Sequence, residues 1–365
     1  MEKQSRWRIL VQKDGVRRAF YSSAPGRKGQ RECNDKADLW LDGNLLAPDN
    51  RCQKLFDSWL EELKLTTSVS HWRPCQTHWN NWIKPAIGRL KIGDINEHHL
   101  QMIINKAHAA GKSKKYLHNI RAGMTAFIKY CRRCKATTLI VENITIPRGA
   151  PEGHRTVLQP IEIITLLTSD KTVWRGKEVT DLFVNAYRFE VTTGLRPGEV
   201  VGLKWSDVLD DGSISLKRSI NIYNETTKGK NDNAQRTFAL KPIDLDILNK
   251  QRNMLLQTGV RSEYVFPQSN GQHIRQQTYY RHWLKYRDFH GISKATPYEL
   301  RHTFVTVVKE LPESLIKPLV GHSVDMDTYG TYAHQVNGEL ERTARLIQDT
   351  FSKLIEENKK KTELA

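Results

Sequence analysis

The chain has 365 residues, 38% of them hydrophobic, and carries 57 Lys and Arg against 40 Asp and Glu, a formal net charge of +17. An excess of that size argues against a neutral, self-contained metabolic enzyme. It points to a polyanionic partner, most simply nucleic acid. The length predicts two or three domains, each with enough apolar sequence for its own core. No run of about 18 uncharged apolar residues occurs. The start, MEKQSRWRIL, lacks the apolar stretch of a secretory signal. A soluble, cytoplasmic protein with no membrane partner is therefore expected. Five cysteines, an odd number, fit reduced thiols better than a disulfide framework.

Residues 1–46 begin with apolar and polar residues in alternation, Trp7, Ile9 and Val11, then Asp14-Gly15, then Val16 to Tyr21. The pattern predicts a short hairpin, with a helix through Ala37, Leu39 and Trp40 covering it. Residues 1–32 hold nine Lys or Arg against Glu2, Asp14 and Glu32. Arg6, Arg8, Arg17 and Arg18 are candidate DNA contacts; the alternative is a solvated basic appendage.

From 49 to 145 the period becomes helical, with Trp72, Cys75, Trp79, Trp82 and Ile83 at three- and four-residue steps. These tryptophans read as core in preference to base-stacking residues. Further helices are expected through Leu100–Ala110 and Tyr116–Lys129. The stretch from Lys112 to Lys135 contains eight Lys or Arg and no Asp or Glu. Lys112, Lys114, Lys115 and Arg121 are the candidates there for neutralising phosphates, against the plainer reading of a solvated charged face. Cys131 and Cys134 form a CxxC, but no second pair follows at zinc spacing, so no metal is expected. Pro147, Gly149, Pro151 and Gly153 mark 146–159 as a linker.

The chemistry is expected in 160–365. A helix with apolar positions Val179, Leu182, Phe183 and Ala186 leads into Thr193-Gly194-Leu195-Arg196-Pro197-Gly198-Glu199. Gly194 can end it and Pro197 can open the next, which sets Arg196 at a helix start where an anion can be bound. Ile214, Leu216, Ile220 and Ile222 alternate as a strand, with Phe238 and Leu240 on its return. The intervening turn holds Lys228 and Lys230. Thr296-Pro297-Tyr298-Glu299 is a capping box, so Tyr298, Arg301 and His302 share a face near a helix start. Leu319-Val320-Gly321-His322 reads as a helix ending at glycine, and Tyr332-Ala333-His334 follows ten residues after His322.

Taken singly these features are ordinary packing or surface elements, but their order resembles that of the phage integrase family of tyrosine recombinases, particularly integrases of Gram-positive phages and conjugative transposons. The resemblance spans nearly the whole chain, with TTGLRPGEVVGLKWSDV and TPYELRHTF its most specific stretches and PAIGRLKIGDINEHHLQ in the helical region. It implies a mainly α, multidomain protein with small β elements. The parts would be a small β-sheet-plus-helix arm-binding domain (1–46), a helical core-binding domain (49–145) and an α+β catalytic domain (160–365). The last two would clamp duplex DNA.

The resemblance also implies roles. Arg196 and Arg301 look like the arginines that hold the scissile phosphate, Tyr332 like the nucleophile, and His322 like the histidine beside it. Glu199 would orient Arg196. Tyr298 departs from the family pattern, which has His at that position, so its role is weaker or moved to His302. Lys230 fits the hairpin lysine best, with Lys228 the alternative; Tyr329 competes less well with Tyr332. Cleavage through a 3′-phosphotyrosine needs no cofactor and no metal. Expected partners are double-stranded attachment-site DNA and a homotetramer on it, with room for an excisionase and a DNA-bending accessory protein. The apolar stripe Leu340, Ala344, Ile347, Phe351 and Leu354 would dock a carboxy-terminal helix onto the neighbouring protomer, or else pack on its own domain. The rival functions are a type IB topoisomerase-like enzyme without partner exchange, against which the separate arm domain argues, and a non-enzymatic DNA-binding regulator. A metal-dependent transposase or nuclease would need clustered carboxylates, and none stand out.

Overall fold

A computed structural model describes residues 7–13, 15–41, 50–153, 155–229, 235–321 and 339–363. Two compact units divide between Gly153 and His154.

The first unit opens with strands β1 (Trp7–Lys13) and β2 (Val16–Ser22), paired antiparallel from Trp7↔Ser22 to Lys13↔Val16. Gly15 at φ +78° makes the tight turn. Helix α1 (Gly26–Leu41) covers one face. Buried Cys33 and Ala37 lie on it, and Phe20 meets Trp40 at 6.2 Å between ring centres. Because opposed residues share a face, Arg8, Leu10, Gln12, Arg17, Ala19 and Tyr21 form the other, uncovered face. Leu10 and Tyr21 are each more than half exposed there.

Helices α2 (Cys52–Thr66), α3 (Val69–His78), α4 (Lys84–Ile87), α5 (Glu97–Ala109) and α6 (Lys114–Arg133) build a second core. A π turn, Trp79–Ile83, joins α3 to α4, and the Lys84 N–H donates to the Trp79 carbonyl five residues back. Pro85 explains it: a proline has no N–H for the carbonyl four residues earlier, so the helix widens by one residue. Trp79, fully buried, stacks on Phe56 at 4.0 Å and 4°, with Phe127 edge-on at 5.1 Å. The core reading of that tryptophan agrees with the structure. Cys131 of the CxxC is fully buried, and burial pushes its thiol well above the ordinary value.

Pro- and Gly-rich 146–159, expected as a linker, contains the division between the units and is tied to the chain on either side. On the first unit Ala150 is buried and the Pro151 carbonyl accepts from the Lys114 N–H at 2.8 Å. On the second, the Thr156 N–H donates to Glu299 at 2.8 Å and the Leu158 N–H to Thr303 Oγ1 at 3.0 Å.

In the second unit α7 (Pro160–Thr168) is followed by a hairpin, β3 (Lys171–Trp174) and β4 (Lys177–Thr180). Val179 therefore lies on a strand, correcting its assignment to the following helix, and Leu182 is exposed. Arg175 and Gly176, at φ +52° and +75°, turn this hairpin. An Arg in the first of those places does not advertise such a turn. Helix α8 (Val184–Thr193) has all ten residues buried and is the axis of the unit. Helix α9 (Pro197–Gly202) follows. The strand expected from Ile214 to Ile222 is broken. β5 (Ser213–Leu216) and β6 (Ser219–Ile220) are separate, β6 pairs with β7 (Thr226–Thr227), and β8 (Arg236–Ala239) returns along β5 with Ile214 opposite Phe238. Ile222, outside them, is 57% exposed. Helices α10 (Pro242–Thr258), α11 (Gln276–Phe289), α12 (Pro297–Val307), α13 (Glu313–Val320) and α14 (Glu339–Glu363) complete the fold.

The apolar stripe of α14 closes on its own unit. Ile347 and Phe351 are buried in the main core, Phe351 stacks near Phe304 at 6.4 Å, and Gln348 accepts from the Ile243 N–H at 3.2 Å. A neighbouring protomer would have to displace this stripe or use the rest of the helix.

Gly194 ends α8 at φ +69°, and a Cβ there would lie 2.3 Å from Phe304. Gly194→Ala should therefore lower stability by about 2–4 kcal/mol, strain and overpacking together, read as the thermal midpoint. An unchanged midpoint would contradict this packing.

Candidate active site

Three arginines from three elements converge on the end of α13. Arg196 precedes α9, Arg236 opens β8 and Arg301 lies in the second turn of α12. Arg236 donates to the Leu319 carbonyl at 2.6 Å, Arg301 to Val320 at 2.7 Å and Arg196 to Gly321 at 3.0 Å. These are the last carbonyls of a helix, partly negative and without helical partners. Gly321, at φ +63°, then turns the chain away immediately before His322.

One buried carboxylate sets the cluster. Glu199 accepts from Arg196 at 2.8 Å and from the Arg196 backbone N–H at 2.9 Å, closing the first turn of α9. It also accepts both terminal nitrogens of Arg236, at 3.1 and 3.0 Å. Burial alone would raise its pKa, but hydrogen bonds and charge from Arg236 and Arg196 outweigh burial and hold it below the ordinary carboxylate range. Arg301 makes no ion pair with a carboxylate among the described residues. It is 1% exposed and donates to the Gly194 carbonyl at 2.8 Å as well as to Val320. Burial first, and then the neighbouring charge of Arg196, lower it to about 10, which leaves it protonated at neutral pH. Among the described residues, three guanidiniums meet one ionised carboxylate, so positive charge predominates there. Such a place attracts an anion, and guanidiniums match phosphate oxygens in fork geometry.

The TPYE capping box forms as the sequence predicts: Glu299 accepts from the Thr296 N–H at 2.6 Å. Tyr298, 45% exposed, meets the His302 ring edge-on at 5.1 Å, while Arg301 turns inward. His302 is held below its usual pKa by burial, then by Arg155 and Arg301. Beside them lies a groove of about 660 Å³ lined by Pro197, Gln276, Tyr280, Arg281 and Tyr298 among others. Lys228 is exposed just after β7. Lys230, His322, Tyr329 and Tyr332 lie outside the described residues, as does Arg6. Arg236 is the site residue that sequence reasoning missed. A single arginine opening a short strand has no local signature, and only its return beside β5 brings it to Glu199.

The expected DNA contacts separate into two kinds. Arg8 and Arg17 lie on the uncovered sheet face, Arg8 over Tyr21 at 5.8 Å and Arg17 donating to Gln12 at 2.9 Å. Arg18 pairs with Val11 on the opposite face, half-buried. Lys115 is exposed. Lys112 sits 5.7 Å above the Tyr116 ring, Lys114 pairs with Glu152 at 2.6 Å, and Arg121 donates to the Ile144 carbonyl at 3.2 Å. The acids missing from the Lys112–Lys135 stretch thus arrive from elsewhere in the chain, since Arg133 pairs with Glu62.

The chain belongs to the phage integrase family, whose profile matches residues 157–339, while that of the phage integrase N-terminal SAM-like domain matches 53–108. Its function is accordingly that of a tyrosine recombinase, site-specific recombination of DNA. A tyrosine recombinase XerC-like protein of Caldanaerobacter subterraneus subsp. tengcongensis is 25% identical, with 92% of each chain covered. An integrase of Streptomyces ambofaciens is also 25% identical, over 74% of this chain and 72% of that one. Two solved structures share the fold at 16% identity. The Tn1549 transposon integrase in complex with transposon right end DNA has a TM-score of 0.62 and covers 82% of this chain and 98% of that one. A lambda integrase tetramer bound to a Holliday junction has a TM-score of 0.59 and covers 90% and 95%. No helix among the described residues is long and apolar enough to cross a membrane.

Proposed function

We propose that Arg196 and Arg301 hold the non-bridging oxygens of the scissile phosphate, with Arg236 and Glu199 fixing the first of them. The observation that carries this is the convergence of the three arginines on the carbonyls of residues 319–321, directly before His322. Fixed positive charge aimed at oxygens that gain charge in a pentacoordinate transition state accelerates attack without reorganising during it. Tyr332 Oη, its proton lost to water as the surrounding cations favour the phenolate, attacks phosphorus, the bond to the 5′-oxygen breaks, and that oxygen takes a proton from Lys230, or from Lys228 in its place. The phosphotyrosine conserves the bond, and a 5′-hydroxyl of the partner strand reverses the step. His322 hydrogen-bonds the phosphate. Tyr298 donates a hydrogen bond where the family pattern has His, and His302 stands beside it. The enzyme acts as a tetramer on attachment-site DNA, with the uncovered face of β1 and β2 reading arm sites.

The test is to trap the enzyme on nicked suicide DNA in EDTA and locate the adduct by mass spectrometry. An adduct on the Tyr332 side chain, located by fragmenting the modified peptide, is expected. Joining without one, or an adduct at Tyr329, overturns the assignment. For the arm face, Arg8→Ala with Arg17→Ala should weaken arm-DNA binding and reduce the slope of log affinity against log salt by about 0.9 for each phosphate no longer neutralised. An unchanged slope in a salt titration would remove these residues from the interface.

A further inference from the structure

A second pocket, of about 460 Å³, lies between the β3–β4 hairpin, the start of α8 and α11, and none of the clustered arginines lines it. Its wall includes Thr172, Trp174, Asp181, Phe183, Gln268 and His282. Two of these carry buried polar atoms without a hydrogen-bond partner among the described residues, Asp181 Oδ2 and Thr172 Oγ1. The residues are 2% and 3% exposed. The other oxygen of Asp181 accepts from the Phe183 N–H at 2.8 Å and so serves the start of α8.

A buried carboxylate without a cation is unfavourable, and no ion pair to Asp181 occurs among the described residues. Burial accordingly raises it to about 6. His282 does not supply the missing charge, because burial, then Lys285 and Arg281, lower it to about 4. Its ring stacks on Trp174 at 4.6 Å and tilts against Phe183 at 4.8 Å, making one wall flat and apolar. Lys285 already occupies a position 3.6 Å over the Trp174 ring, so an added cation would be drawn to the carboxylate in preference to that ring.

We propose that this pocket binds a small organic cation, an amidinium, guanidinium or ammonium on a short apolar body, whose N–H groups donate to Asp181 Oδ2 and Thr172 Oγ1. An amidinium offers N–H donors for a carboxylate and a hydroxyl, and the aromatic residues of the wall, Trp174, Phe183 and His282, suit an apolar body. The proposal is independent of the recombination chemistry.

Calorimetric titration of the full chain without DNA, at about pH 7.5 so that Asp181 is ionised, tests it with benzamidine and with benzamide, the uncharged molecule of the same shape. Benzamidine is expected to bind with a Kd below about 1 mM and benzamide at least about tenfold more weakly. Asp181→Asn, which keeps an acceptor for the Phe183 N–H, should weaken benzamidine at least about tenfold, and Thr172→Val several-fold. Thermal midpoints report whether each variant is folded. Equal binding of the two probes, no binding of benzamidine up to about 10 mM, or wild-type binding by folded Asp181→Asn overturns the proposal. Should Asp181→Asn fail to fold, the probe pair and Thr172→Val decide it.

Discussion

Arg301→Lys is expected to slow strand cleavage by about 10²–10³-fold, a loss of roughly 2.7–4 kcal/mol of transition-state stabilisation. The lysine keeps the charge, so the expected loss comes from geometry. Arg301 uses two of its five N–H donors on the carbonyls of Gly194 and Val320, which orients the plane of the guanidinium and leaves the remaining donors directed away from them. An ammonium has three donors but on a single nitrogen, so it cannot reach both carbonyls and the phosphate as the separate guanidinium nitrogens do, and a carbonyl left behind is buried without its partner. Duplex affinity should change by less than about tenfold, because several other phosphates along the duplex are still neutralised. Single-turnover cleavage of suicide DNA set against fluorescence anisotropy separates the two quantities. A folded lysine variant that cleaves within about threefold of wild type would show that Arg301 does no more than hold α8 to α13. Arg301→Ala should in addition lower the thermal midpoint, since it strands both carbonyls at about 1–3 kcal/mol each.

What the sequence discloses and what it hides divide along a physical line. Gly194-Leu195-Arg196-Pro197-Gly198-Glu199 and Thr296-Pro297-Tyr298-Glu299 are legible because a left-handed glycine, a proline in the first turn and a glutamate three residues after the cap act within a few residues of chain. The strand opposite Phe238 and the helical period around Trp79 are local patterns of the same kind. Arg236 is silent because its meaning comes from pairing with β5 and from Glu199, 37 positions away. The β3–β4 hairpin is hidden by a coincidence: Val179, Leu182, Phe183 and Ala186 fit a helical period across a strand, a turn and a true helix. Charge misleads in the same way. Lys114 and Arg133 stand in a stretch without acids, yet Glu152 and Glu62 reach them from elsewhere. A charge run predicts an electrostatic face only where the fold brings no partner to it.

Glu199→Gln should lower stability by about 3–5 kcal/mol, the range for removing one member of a buried ion pair, because it takes from Arg196 and Arg236 the carboxylate they share. The amide is the same size, so the loss cannot be assigned to a cavity. The pH dependence separates charge from shape. The folded-state pKa of Glu199 is depressed, so the stability it contributes is fully present above the ordinary carboxylate value and is lost as pH falls through the lower folded one. The gap between wild type and Glu199→Gln in urea midpoints should therefore be constant above about pH 5 and narrow below about pH 4. A gap that does not vary with pH would mean that the carboxylate's charge is not what holds the two arginines. Cleavage should fall as well, while Arg301, which makes no hydrogen bond to Glu199, keeps its bonds to Gly194 and Val320. The arginines would then differ in what they depend on. Arg301 is fixed by backbone carbonyls and is insensitive to acid. Arg196 and Arg236 are fixed by a carboxylate, and so the half of the phosphate site they form should disassemble first when the protein is acidified.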